Sequence, residues 1–467
     1  MSSASETLTS EERKLGTANI RPLFVTYAVT SLVGMILQMV SAAADGFYVG
    51  NGIGQIGLAT VGVIYPLWII AISVGTLIGV GASAVVGLKL GEGDKEAARA
   101  AVGQSFWYSV ILSVTITILT FIFMNNILNF FGATSDILGS CRQYTTAFML
   151  GFPLYVTGLM LFYLVRVDER PSLGVIVQVV PAIIAVGAEY IFIFKMHMGV
   201  TGSALAAWGL CMGPWFLLVL HFIYGKTDLK IKWSDIKLNF GTINQINKIG
   251  FAAFAVQVAP TAVTITINNL IGKYGTQMDL AVYGVINAYI LWVLTSLVNA
   301  FSMGLLPIAS YNYGAEFFTR VRDVLLFSIK TTFVSMVVVL IAIFIFANQI
   351  LTFFCGNAPD LISASIAAMK IFLVLFPLGS IAVMVSTYYQ GIEKNLPAVI
   401  TSLARNIVFA IPLLFILPQF LGMKGIWVAN PAADFLAFIV AIYYVVTEVK
   451  RLNSKANAKP AQPGVAQ

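Results

Sequence analysis

"GLATVGVIYPLW" (residues 57–68) and "DLAVYGVINAYI" (279–290) are one apolar phrase written twice, once in each half of the chain. Two more pairs follow in the same order. "FFGATSDIL" (130–138) answers to "FFCGNAPDLI" (353–362), and "GVTGSALAAW" (199–208) to "GMKGIWVANP" (422–431). The offset between partners is nearly constant along the chain, which chance rarely gives. The chain is an internal duplication.

What is duplicated is a membrane unit. Of 467 residues, 59% are hydrophobic and 10% charged, against roughly 25% charged in a soluble domain. A spanning helix needs about 20 mostly apolar residues. Twelve segments qualify, at 22–45, 57–83, 101–123, 145–165, 173–194, 201–224, 249–271, 281–310, 324–347, 364–389, 397–417 and 425–447. With the amino terminus inside, inner segments hold 20 of the 27 Lys and Arg and outer segments four (Arg142, Lys195, Lys273, Lys424). Lys330, Lys370 and Arg405 fall within helices. This bias places both termini in the cytoplasm. It also accounts for the net charge of +7 without nucleic acid as a partner.

The expected class is an all-α integral membrane protein of the cell (inner) membrane. Twelve transmembrane helices form two six-helix lobes related by a parallel repeat. The organisation reads as a cytoplasmic segment 1–21, a first lobe 22–224, a linker 225–248, a second lobe 249–447 and a disordered cytoplasmic tail 448–467. The segment 1–21 lacks the basic head and apolar core of a signal peptide, so the first helix directs insertion. Repeats of this kind are common among secondary transporters, which bind substrate near the midplane between repeats. A scaffold or receptor is the alternative use of such a build.

Few charges lie inside the helices. Asp45, in "SAAADGFYVGNG" (41–52), is 23 residues from Pro22, about 35 Å along a helix. It either ends a helix at the interface or is a buried titratable group. Glu189 lies inside "LGVIVQVVPAIIAVGAEYIFIF" (173–194), where a carboxylate costs roughly 2.5–3.5 kcal/mol unless paired, protonated or facing water. It reads as functional, with a structural bond to a neighbouring helix as the alternative. Arg405 is about 12 Å deep from inside and Asp434 about 14 Å deep from outside, at about 1.5 Å per residue. The matched depths predict a structural ion pair. Gln38, Gln257, Asn268, Asn287 and Tyr389 are polar candidates for a substrate cavity or for bonds between helices. Cys141, Cys211 and Cys355 show no metal-ligand spacing, and no cofactor or metal is called for.

Longer stretches carry a family resemblance. "PIASYNYGAEFFTRVRDVL" (307–325), "NNLIGKYGTQMDLAVYGVINAYILW" (268–292), "YYQGIEKNLPAVITSLARNIVFAIPLLFILP" (388–418) and "GMKGIWVANPAADFLA" (422–437) resemble the multidrug and toxic compound extrusion (MATE) family. In the first half "ADGFYVGNGIGQIGLATVGVIYP" (44–66) and "GASAVVGLKLGEGDKEAARAAV" (81–102) do the same. The resemblance covers residues 22 to 450. It implies two six-helix lobes around a cavity and export of drugs or metabolites driven by H+ or Na+, most like the prokaryotic branch with first-lobe coupling.

On that resemblance Asp45 matches the first-helix aspartate used for cation coupling, and Glu189 takes a place usually held by aspartate. Two departures stand out. Ala185 replaces an asparagine and Ala207 a threonine, oxygens that help hold Na+ in relatives. With two donors missing, H+ is the expected coupling ion and Na+ the alternative. Close together, Asp45 and Glu189 would share a proton as a coupled pair. The second half has no free carboxylate to couple. The expected partners are H+, a small lipophilic organic cation and membrane lipid, with the chain acting as a monomer. A lipid-linked substrate flippase of the wider superfamily is the other transport reading, but only Arg405 is available for a pyrophosphate. The chain has no HExxH, GxSxG or paired-aspartate protease motif, so an enzyme is not expected.

Overall fold

The computed structural model describes residues 14–458, apart from 132, 134, 226, 237 and 356–358. The described residues are built of helices joined by short turns, with no strand. In chain order we label α1 (Ile20–Gly52), α2 (Gln55–Gly91), α3 (Lys95–Ile122), α4 (Leu138–Val167), α5 (Pro171–Tyr190) and α6 (Gly199–Tyr224). The second series is α7 (Phe240–Tyr274), α8 (Trp292–Gly314), α9 (Phe318–Ile345), α10 (Phe376–Gly391), α11 (Ile411–Leu421) and α12 (Met423–Ala458). Among the described residues ten helices are long and apolar enough to cross a membrane. Pro359–Phe372 joins α10 at a 53° bend as an eleventh span. The helix α6, with 26 residues, supplies the length for a twelfth, about 39 Å at helical rise.

The duplication is written into the backbone as well. Left-handed turn residues recur in matching places of the two halves: Gly93 answers to Glu316, Glu169 to Glu393 and Gly199 to Gly422. Each stands where one helix gives way to the next within a few residues, a change of direction that positive φ permits. Each half also contains π-helical turns, at Ile191–Lys195, Ile286–Leu291 and Ala404–Ala410. Such wider turns are rare and concentrate at functional sites.

The chain forms two compact units: unit 1 is Met1–Leu15 with Val29–Phe254, and unit 2 is Gly16–Ala28 with Ala255–Gln467. In unit 1 the segment before α7 is anchored to its own unit. Asp235 is buried, accepts from Arg99 Nη1 at 2.9 Å and from the Lys232 amide at 2.9 Å, and occupies the space a Gly103 side chain would need. Leu229 is fully buried in the same segment. In unit 2 an apolar core runs through Ile267, Ile286, Leu294, Met336, Met369 and Trp427.

Two expected boundaries are corrected. Residues 448–458, assigned to a disordered tail, continue α12 to Ala458. The reason is a polar knot that hydropathy does not register. Glu448 is 2% exposed and accepts from Tyr388, Lys394 and Arg451. Helix α1 also outlasts its expected end at residue 45 and runs to Gly52, so Asp45 lies about two turns inside it and not at its end.

Candidate ion-coupling site

Five helices of unit 1 each bring one side chain to the same place. Asp45 comes from α1, Trp68 from α2, Tyr144 from α4, Glu189 from α5 and Ser203 from α6. Helices α1 and α5 are held in register by two close approaches. A Cβ on Gly34 would meet the Gln178 amide at 2.3 Å, and one on Gly52 would meet Ile193 at 2.2 Å. Between these points Asp45 stands as far past Gly34 as Glu189 stands past Gln178, so the two acids reach the same level. Tyr48 on α1 packs its ring 6.0 Å from Tyr190 and 5.9 Å from Phe194, closing the next turn. The registration of α6 on α4 is set by Trp208, whose indole donates to the Ala147 carbonyl at 2.8 Å. That contact puts Ser203 beside Tyr144.

The hydrogen bonds converge on carboxylate oxygen. Ser203 Oγ donates to Asp45 Oδ1 at 2.9 Å. Asp45 and Ser203 are also the polar neighbours of the Glu189 carboxyl. Tyr144, 2% exposed, receives the Trp68 indole N–H at 3.4 Å and has Ser203 beside its hydroxyl. Glu189 is 4% exposed, and its Oε1 has no hydrogen-bond partner among the described residues. Asp45 is half-buried. No Lys, Arg or His stands within ion-pair distance of either acid among the described residues. Two neighbouring acids, with hydroxyls beside them and no cation, cannot both stay ionised without cost. The arrangement can bind one proton between them or one small cation over their oxygens.

The alanines singled out above lie at the same level. Ala185 is buried, and a Cβ on Gly209 of α6 would come within 3.3 Å of its Cα. Backbones this close leave little room for a larger residue at 185. Ser203 lies one helical turn before Ala207 and carries the hydroxyl that bonds Asp45.

The other predicted residues are dispersed. Gln257 is half-buried on α7, and Asn268 is exposed there. Asn287 lies in the π turn before α8. Tyr389 is 2% exposed and donates its hydroxyl to the Tyr444 carbonyl at 2.9 Å. The side chain of Gln38 lies outside the described residues. In unit 2, Arg405 Nε donates to Asp434 Oδ1 at 2.5 Å, and Asp434 is fully buried. The π turn of Ala404–Ala410 carries Arg405, whose guanidinium lies 4.8 Å over the Phe376 ring. Gly379 makes room for the acid: a Cβ there would sit 2.1 Å from Asp434 Oδ1.

Ser203 and Tyr144 were missed by sequence reasoning. Each is an ordinary hydroxyl in an apolar helix, and its partner is far away in the chain. The one available signal was the resemblance itself, followed one helical turn from Ala207.

The fold fits what comparison with known proteins finds. The MatE family model matches residues 31–191 and again 252–416, once in each half. The chain belongs to the MatE family. It is therefore a multi-pass membrane transporter and not an enzyme. Among its MatE relatives, the multidrug export protein MepA of Staphylococcus haemolyticus is 23% identical over 424 residues, covering 89% of this chain and 91% of that protein. MepA of Staphylococcus aureus is 20% identical, with 90% and 92% covered. Among solved structures, an outward-facing multidrug resistance MATE family transporter superposes with a TM-score of 0.87 at 22% identity, covering 94% of this chain and 98% of that one. A MOP superfamily transporter from Pyrococcus furiosus gives 0.88, also at 22%, with the same coverage. At these identities the structures speak for the fold.

Proposed function

We propose that the chain is a secondary active antiporter that exports lipophilic organic cations in exchange for H+, with Asp45 and Glu189 carrying the proton. It works in the cell membrane with both termini cytoplasmic. The observation that supports this reading best is a pair of neighbouring carboxyl groups, with a serine hydroxyl bonded to one and no cation in ion-pair range among the described residues, inside a family of transporters. A proton entering from outside removes one negative charge from the pair and changes which oxygens accept hydrogen bonds. Asp45 rides about two turns from the end of α1, and a π turn directly follows α5. Both are places where a helix can change its course at small cost. The names of the MepA relatives support organic compounds as cargo.

A Na+-coupled exchange is the second reading, and one observation favours it. Asp45, Glu189, Ser203 and Tyr144 gather hard oxygens in one neighbourhood, which suits an alkali cation, although Ala185 and Ala207 contribute none. The experiment is ethidium export from proteoliposomes under a pH gradient, with and without a protonophore, and then under a Na+ gradient at uniform pH. Export that collapses with the protonophore and ignores Na+ supports the proton reading. Export that follows Na+ alone replaces it with the second. No movement of any organic cation under either gradient removes the drug cargo.

A further inference from the structure

Lys330 has no part in any of this, and its place in the fold is unusual. It lies in α9, one of the most apolar helices of the chain, two turns and about 10 Å further along than Asp323. Its side chain is exposed, and it makes no ion pair among the described residues. An uncompensated cation on a spanning helix is expensive unless it meets water, a partner or a headgroup.

The structure places a cavity beside it. Within unit 2, the start of α1 and one face of α9 enclose about 1320 Å³, larger than the roughly 300–1,000 Å³ of a drug-sized pocket. Charged and apolar side chains alternate in the lining along the helix. On α9 Arg320, Arg322 and Asp323 are followed by Leu326, then Lys330, then Val334, and α1 adds Arg21. Arg322 is neutralised by Asp323 at 2.8 Å. Arg320 is directed inward, donating to Asn312 Oδ1 at 2.9 Å and to the Ala18 carbonyl at 2.7 Å. That second bond holds the entry to α1 against α9. Arg21 and Lys330 are left as exposed cations with no carboxylate in ion-pair range among the described residues. Leu326 and Val334, on the same lining, are 42% and 49% exposed.

We propose that this cavity binds an anionic phospholipid from the leaflet that meets the beginning of α9. The phosphodiester lies between Arg21 and Lys330, and an acyl chain runs along Leu326 and Val334. A phosphate supplies the counter-charge that the helix lacks, and the apolar side chains flanking Lys330 suit a molecule that carries hydrocarbon beside its charge. Basic pockets among spanning helices recognise anionic headgroups in this way. A soluble anion would satisfy the cations but leave Leu326 and Val334 uncovered.

The test uses the full chain in neutral detergent, with lipid bound to the intact protein counted by mass spectrometry. The probes are dioctanoyl phosphatidylglycerol, dioctanoyl phosphatidylcholine and inorganic phosphate. We expect one phosphatidylglycerol held at least tenfold more tightly than phosphatidylcholine. Lys330→Gln and Arg21→Gln should each weaken it about fivefold, and the double variant about 25-fold. Lys330→Arg keeps the charge and should keep the binding. Lys370→Gln, a similarly exposed lysine on Pro359–Phe372 outside the lining, should leave it unchanged. Equal retention of both lipids overturns the proposal, as does a double variant that binds like the parent. Inorganic phosphate that displaces the lipid at equal concentration would overturn it too, marking a site for free anions.

Discussion

Each unit buries an acid within its helices, and the two differ in what answers the charge. In unit 2 Asp434 faces Arg405, and an arginine keeps its proton under all ordinary conditions. The charge there is fixed. In unit 1 Asp45 and Glu189 are neighbours, with Ser203 and Tyr144 beside them and no cation in ion-pair range among the described residues. By our proposal, the charge there changes by one proton. The internal repeat sharpens the contrast. At the offset that lays Gly93 on Glu316, the first-half residues Asp45, Tyr144, Glu189 and Ser203 fall on Asn268, Ala367, Pro412 and Ile426. In the other direction Arg405 and Asp434 fall on Ala182 and Cys211. Neither half carries the other's charges. By our proposal one half supplies framework and its duplicate the titrating pair of acids.

The largest effect that could break this contrast lies at Glu189. Glu189→Gln keeps shape and hydrogen-bonding capacity but cannot titrate, so uphill export should fall to the level of empty liposomes while insertion stays intact. Glu189→Asp, with one carbon fewer, should retain much of the activity. Export measured in proteoliposomes under a pH gradient decides, and an active Glu189→Gln would remove the acid from the pair.

Next in size is the fixed pair. Asp434→Asn leaves Arg405 buried without a counter-charge, which costs about 3–5 kcal/mol. We expect a lower yield of folded protein and unchanged dependence on the coupling ion in what folds, read by monodisperse recovery and transport side by side. A well-folded Asp434→Asn with altered ion dependence would give unit 2 a share of the coupling.

A smaller effect is expected at Ser203. Ser203→Ala removes a hydrogen bond to a carboxylate, on the order of 1.5–3 kcal/mol, and export should drop by about 10- to 100-fold, at about 1.4 kcal/mol per decade. Ser203→Thr should restore it. Equal rates for parent and Ser203→Ala would place the hydroxyl outside the site. The smallest effect belongs to Asn268→Asp, which writes the first-half acid into the second half. Introduced into Asp45→Asn, it should restore no uphill transport, because the duplicate offers no Glu189 to share the proton. Rescue would mean that the two halves are interchangeable.

Much of this was legible in the sequence, for physical reasons that also set the limits. Apolar runs must be long enough to cross a bilayer, so the spans and their duplication could be read directly. The matched depths of Arg405 and Asp434 could be read from helical rise alone, and the two residues do meet. Helix ends were less visible. The stretch "GFYVGNG" (46–52) is rich in glycine and looks like a turn; yet α1 continues through it, with Gly52 pressed against Ile193. Glu448 looked like the start of a tail because hydropathy cannot count the three donors around it. Ser203 and Tyr144 were invisible for a related cause. A hydroxyl's partner is set by packing between helices that are distant in the chain, as for Ser203 and Asp45.

The central claim is that a proton on the unit 1 pair drives export. Purified parent protein and Asp45→Asn, reconstituted in liposomes loaded for uphill transport, should be compared under an imposed pH gradient and then under a Na+ gradient at uniform pH. The account predicts that the parent exports in proportion to the pH gradient and is indifferent to Na+. Asp45→Asn should be inserted and folded but inactive under both. Full activity of Asp45→Asn, or a parent that moves substrate only when Na+ is supplied, would contradict it.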